Sequence, residues 1–114
     1  MKLNDLPDTL VTEDLVVGQG ALAEAGKEIV VHYVGWTANG EQFDNSRARN
    51  EPLDFPLGAG HMIAGWEQGL PGMKVGGKRR LVIPPALGYR DQGLAGIIPP
   101  DATLVFEVEL LQVV

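Results

Sequence analysis

With 114 residues and a formal charge of −6, from nine Lys and Arg against fifteen Asp and Glu, the chain has room for one domain and lacks the basic surplus of a nucleic-acid binder. Cys is absent, which excludes disulfides, thiolate metal sites and a cysteine nucleophile. Fifteen Gly and eight Pro argue for many turns and against a helical bundle. No apolar run is long enough to span a bilayer, and the opening MKLNDLPDTL lacks an apolar secretion core. The expectation is a cytoplasmic monomer.

Residues 1–12 are polar and patternless, a flexible lead-in to a domain over 13–114. β patterning begins at Glu13. Glu28 to Thr37 (EIVVHYVGWT) is β-branched and aromatic, as a mostly buried strand requires. Asn39-Gly40 is a strong hairpin signal, returning the chain along Gln42 to Ser46. Leu53 to Leu57 is a further short strand. Met62 to Leu70 is the one candidate helix, because Met62, Ile63, Trp66 and Leu70 recur at spacings of three and four, and Gly69 with Pro71-Gly72 ends it. Lys78 to Ile83 is a strand stopped by Pro84-Pro85. The closing strand puts Leu104, Phe106, Val108 and Leu110 on one face and Glu107 and Glu109 on the other. Together these predict an α+β fold, an antiparallel twisted sheet wrapped around one short helix. Pro84 to Ala102 is the anomaly: roughly nineteen residues without a period, where loops beyond about 12–15 are usually functional or disordered. Its Leu87, Tyr89, Leu94, Ile97 and Ile98 suit a pocket wall better than a linker.

The catalytic inventory is thin. His32 lies mid-strand and His61 before the helix. Neither has a second ligand at metal spacing, so the first is expected to be structural and the second a local hydrogen-bonder. No Ser or Thr shows an obvious His partner in the sequence, so a nucleophile–base–orienter set is not expected. Gly58-Ala59-Gly60 starts like a phosphate loop but has no third glycine in place and no Lys-Ser/Thr after it. The basic cluster Lys74, Lys78, Arg79 and Arg80 reads as a solvated face. What remains is shape, apolar surface and the aromatics Tyr33, Trp36, Phe43, Phe55, Trp66, Tyr89 and Phe106. A few polar groups among such rings describe a pocket for a small molecule or side chain.

Over about a hundred positions the sequence resembles the FKBP-type peptidyl-prolyl cis-trans isomerases, the macrolide-binding immunophilins. The matching segments are Val31-His32-Tyr33-Val34-Gly35, Gly40 to Ser46 (GEQFDNS), Phe55-Pro56-Leu57-Gly58, Ile63 to Leu70 (IAGWEQGL), Met73 to Lys78 (MKVGGK) and Gly96 to Leu111 (GIIPPDATLVFEVELL). The resemblance implies a pocket between sheet and helix with Trp66 as its floor. Tyr33, Asp44, Trp66, Tyr89 and Phe106 would carry the catalysis, and Phe43, Leu53, Met62, Ile63, Ile97 and Ile98 would bind substrate. It implies rotation about X-Pro bonds in peptides and in unfolded or partly folded proteins, with no metal, cofactor, nucleic acid or membrane, and with tacrolimus and rapamycin as inhibitors. The Tyr89 hydroxyl is expected to hydrogen-bond the substrate carbonyl, the Ile98 N–H to be a second anchor, and Asp44 to orient its neighbours rather than act as a base. Leu53 stands where the family often has Phe, and Arg90 where Gly is usual. Two readings stay open beside catalysis: a non-catalytic module holding a Pro-containing partner or macrolide, and a core whose aromatics serve packing alone.

Overall fold

A computed structural model describes residues 6–114; that part of the expected lead-in within residues 1–5 lies outside the described residues. The elements in chain order are β1 (Val11–Val16), β2 (Glu28–Thr37), β3 (Gln42–Asn45), β4 (Leu53–Pro56), α1 (Ala64–Gly69), β5 (Lys78–Ile83) and β6 (Leu104–Val113). They form one antiparallel sheet in the order β1-β5-β6-β2-β3, with β4 also paired to β2. α1 is the only α-helix among the described residues.

The alternation read from the sequence decides which face is buried. In β6, Leu104, Phe106, Val108 and Leu110 are buried, while Val105, Glu107 and Glu109 stay partly exposed. In β2 the inward row is Ile29, Val31, Tyr33, Gly35 and Thr37, and Tyr33 alone in that row keeps partial exposure. The core joins these rows to Phe55, Leu57, Trp66, Leu70, Leu81 and Ile83. The first strand begins at Val11, two residues before the sequence pattern shows it, because Val11 and Thr12 pair with Val82 and Leu81 of β5.

The helix is shorter than the spacing predicts. Met62 and Ile63 lie before it, and Ile63 has an extended ψ of 150°. Its periodic apolar residues are shared between the helix and its approach. At the other end, Arg79 is not part of a solvated face. Its guanidinium donates to the Gly69 carbonyl at 2.8 Å and the Pro71 carbonyl at 3.1 Å, satisfying carbonyls at the helix end that have no intrahelical partner. Asp14 of β1 completes the pairing at 2.7 Å. Lys78 and Arg80 do face solvent, against Glu107 and Glu13.

α1 lies against β5 at glycine distance. A β-carbon on Gly65 would stand 2.6 Å from two methyl carbons of Ile83, and one on Gly69 would overlap a Leu81 methyl. Gly65→Ala is expected to lower the unfolding free energy by about 1–3 kcal/mol, the usual cost of overpacking, measured by urea denaturation. An unchanged midpoint would show that Ile83 can move aside.

Candidate functional site

Between the inward face of the sheet and the approach to α1 lies a cavity of about 380 Å³, lined by Tyr33, Phe43, Asp44, Leu53, His61, Met62, Ile63, Trp66, Tyr89 and Phe106. Each element supplies one part. β2 brings Tyr33 and leaves Gly35 bare beside it; a β-carbon there would come within 2.8 Å of both Phe43 and Phe106, so the glycine makes room for two aromatic walls. α1 brings Trp66, 2% exposed, as the floor. The rings meet edge to face: Tyr33 and Phe106 stand at 82° and 85° to Trp66, with centroids 5.1 and 5.3 Å away, and Phe43 stands at 88° to Phe106. Such pairs add roughly 0.5–1.5 kcal/mol each beyond burial and fix ring orientation. The Trp66 indole N–H is buried without an acceptor among the described residues, so ring faces and edges are its surroundings.

The polar side of the cavity is a network with little slack. The Tyr33 hydroxyl donates to Asp44, and the Arg49 guanidinium pairs with Asp44 and donates to the Tyr33 hydroxyl at 3.0 Å. The guanidinium carbon also lies 5.7 Å from the Tyr33 ring centre, within cation–π range. Buried Ser46 ties the strands beneath, accepting from the Tyr33 N–H at 2.7 Å and meeting His32 Nδ1 at 2.8 Å; the sequence shows no obvious His partner for a Ser, yet the fold brings these two together, and since neither lines the cavity the pair holds strands together. The Asp44 carboxylate is therefore engaged on both oxygens. Arg49 is the site residue that sequence reasoning missed. It lies in the turn after β3, and no pattern signals that the turn folds back over Asp44.

Ile97 and Ile98 are not brought into the lining. The loop tip closes as a small hairpin in which Leu94 and Ile98 exchange backbone hydrogen bonds, each at 2.8 Å. That fold turns Ile98 into the core, 4% exposed, and leaves Ile97 54% exposed. The Ile98 N–H is thus donated to Leu94 rather than offered to a ligand. Ile63 is a better-placed donor: it lines the cavity, heads α1, and its N–H has no acceptor among the described residues, as the first N–H groups of a helix do not. His61, expected to bond locally, instead lines the cavity and makes no hydrogen bond within the described residues. The Tyr89 hydroxyl is also unengaged there. Among the described residues no group of three or more His, Asp or Glu could hold a metal ion, and no helix is long and apolar enough to cross a membrane.

A family model described as FKBP-type peptidyl-prolyl cis-trans isomerase matches residues 20–111. An FK506-binding protein of Neisseria meningitidis serogroup A is 55% identical over 105 residues, covering 92% of this chain and 96% of that protein. One from Streptomyces anulatus is 49% identical over 109 residues, covering 94% and 88%. Among solved structures, AtFKBP13 superposes with a TM-score of 0.84 at 43% identity, covering 90% of this chain and 91% of that one. FkpA from Escherichia coli superposes with a TM-score of 0.83 at 47% identity, covering 91% of this chain and 47% of that chain.

Both tyrosines of the chain line this cavity. Burial raises the Tyr89 phenol above the usual tyrosine range, helped by the Asp44 charge. Burial also raises Tyr33, with its bond to Asp44 adding and Arg49 opposing. Each folded-state value thus exceeds the unfolded one. Their contribution to stability is complete below about pH 10 and is lost as pH rises through the folded values. Absorbance at 295 nm is expected to show less tyrosinate in the folded protein at pH 10 than in urea, where ionisation is roughly half. Equal ionisation in the two states would place both hydroxyls in water.

Proposed function

Because the chain belongs to the FKBP-type peptidyl-prolyl cis-trans isomerase family, we propose that it catalyses rotation about X-Pro peptide bonds in peptides and in unfolded or partly folded proteins. The observation that carries this reading is the aromatic cavity itself, floored by Trp66 and walled by Tyr33, Phe43, Tyr89 and Phe106. Among the described residues its polar groups are Asp44, His61, two phenols, the Trp66 indole N–H and the Ile63 N–H, and no Ser or Thr lines it.

An amide resists rotation by about 18–20 kcal/mol because resonance holds it planar. The resonance form separates charge, and water stabilises it. A prolyl ring set on Trp66 brings its amide out of water among rings, where the planar form loses that support and the twisted form, in which resonance is already broken, loses less. Only this difference raises the rate; equal binding of both forms would not. The Tyr89 hydroxyl, unengaged and held protonated by burial, is the donor for a substrate carbonyl. The Ile63 N–H is the second anchor, in place of Ile98. Asp44, held by Arg49 and Tyr33, positions the Tyr33 ring. Several relatives are named for binding FK506, which supports occupation of the same cavity by macrolides such as tacrolimus and rapamycin. A cytoplasmic location and a monomeric state belong to the proposal on the sequence reading alone. The alternative, a module that binds a Pro-containing partner without turnover, uses the same cavity and differs only in rate.

Exchange NMR on a Leu-Pro peptide separates the two, since uncatalysed exchange takes tens of seconds or longer. Acceleration that rapamycin removes is the expected result; rapamycin binding without acceleration would favour the module. Tyr89→Phe is expected to slow turnover severalfold with the fold intact, and an unchanged rate would remove that hydroxyl from the mechanism. Trp66→Ala is expected to abolish turnover and to cost about 3–5 kcal/mol of stability; activity retained at the wild-type level would mean the prolyl ring sits elsewhere.

A further inference from the structure

The chain has five arginines, and four are ion-paired: Arg47 with Glu109, Arg49 with Asp44, Arg79 with Asp14 and Arg80 with Glu13 and Glu107. Arg90 pairs with no carboxylate among the described residues, its chain neighbour Asp91 included. It is exposed and directly follows the cavity residue Tyr89. Its backbone is in the left-handed region, with φ of 57°. That conformation suits glycine and costs an L side chain of order 1 kcal/mol. The fold requires it here because the Arg90 N–H bonds the Pro85 carbonyl at 2.9 Å and its own carbonyl accepts from the Asp101 N–H at 2.8 Å, closing the neck of the long loop. Glycine would serve that neck at lower cost, so the backbone does not account for the arginine.

Among the described residues Asp44 is the only carboxylate that lines the cavity, and Arg49 and Tyr33 engage both its oxygens. It therefore presents little bare negative charge to a ligand. His61 lines the cavity with no hydrogen-bond partner among the described residues. On a chain of net charge −6, the cavity mouth is thus a place where donors without partners gather and the acid present is neutralised.

We propose that Arg90, with His61, makes the cavity selective for proline peptides carrying a carboxylate on the residue next to the proline. The inference deepens the function proposed above and rests on it. Its substrate class is an acidic Xaa-Pro or Pro-Xaa segment, recognised by an ion pair at the rim while the prolyl ring occupies the aromatic floor.

The test compares acetylated, amidated peptides that differ only in charge: Ala-Glu-Pro-Phe against Ala-Gln-Pro-Phe, and Ala-Ala-Pro-Glu against Ala-Ala-Pro-Gln. In wild-type protein at low salt, kcat/KM for the Glu member of at least one pair is expected to exceed its Gln partner by roughly threefold, the scale of one partly exposed ion pair. The ratio is expected to fall toward one in Arg90→Gln, and in wild type at high salt. A ratio of one in wild type for both pairs overturns the proposal, as does a ratio that Arg90→Gln leaves unchanged. If no peptide is isomerised at all, the function proposed above fails separately. Dissociation constants from chemical-shift titration of the same peptides then decide this one, with tighter Glu binding supporting it and equal binding overturning it. Arg90→Gly is expected to melt no lower than wild type, since glycine accepts that φ; a lower midpoint would show a structural role for the side chain and overturn the proposal.

Discussion

Ile83 fills the space where a β-carbon on Gly65 would stand, and Leu81 does the same at Gly69. The helix can therefore approach the sheet only as closely as bare backbone allows, and it takes all of that allowance. Trp66 lies between those glycines, held both as core and as cavity floor. Were the helix displaced outward by the width of a methyl group, the edge-to-face contacts of Trp66 with Tyr33 and Phe106 would open, and the floor would lose the packing that keeps it rigid. Gly35 plays the same part on the strand side by admitting Phe43 and Phe106. The cavity is a consequence of side chains omitted at chosen places as much as of aromatic ones supplied.

Within that frame the polar groups divide into spent and available. Asp44, Arg49 and Tyr33 satisfy one another, which rigidifies one wall and removes a bare charge from a space whose chemistry depends on low polarity. Tyr89, Ile63 and His61 offer donors that the fold itself does not use. A site arranged this way keeps its carboxylate hydrogen-bonded and paired while leaving donors open toward the cavity.

The strands and the aromatic lining were legible because period-two alternation and residue type are local. The alternation at Leu104, Phe106, Val108 and Leu110 needs no partner to be seen, and neither does the Asn39-Gly40 turn. What sequence reasoning missed depends on contacts remote in the chain or on loop geometry. Arg79 reads as one of four basic residues until the end of α1 is brought over it. Ile98 reads as a pocket residue until its backbone bridge to Leu94 turns it inward. Arg49 lies only five residues from Asp44, yet the intervening turn follows no pattern that places its guanidinium. The spacing overextends the helix because Met62 and Ile63 share its apolar period, while the Ile63 backbone has an extended ψ.

The sheet order has a further consequence, for the synthesis of the chain. β2 and β5 are not neighbours; β6 lies between them and pairs with both along most of its length. β6 is also the last strand to be made. Without it the strands would fall into two groups, β1 with β5 and β2 with β3 and β4, with no ladder between them and α1 packed against both. The sheet is therefore continuous only once this strand is in place, and the same strand brings Phe106 to the cavity wall.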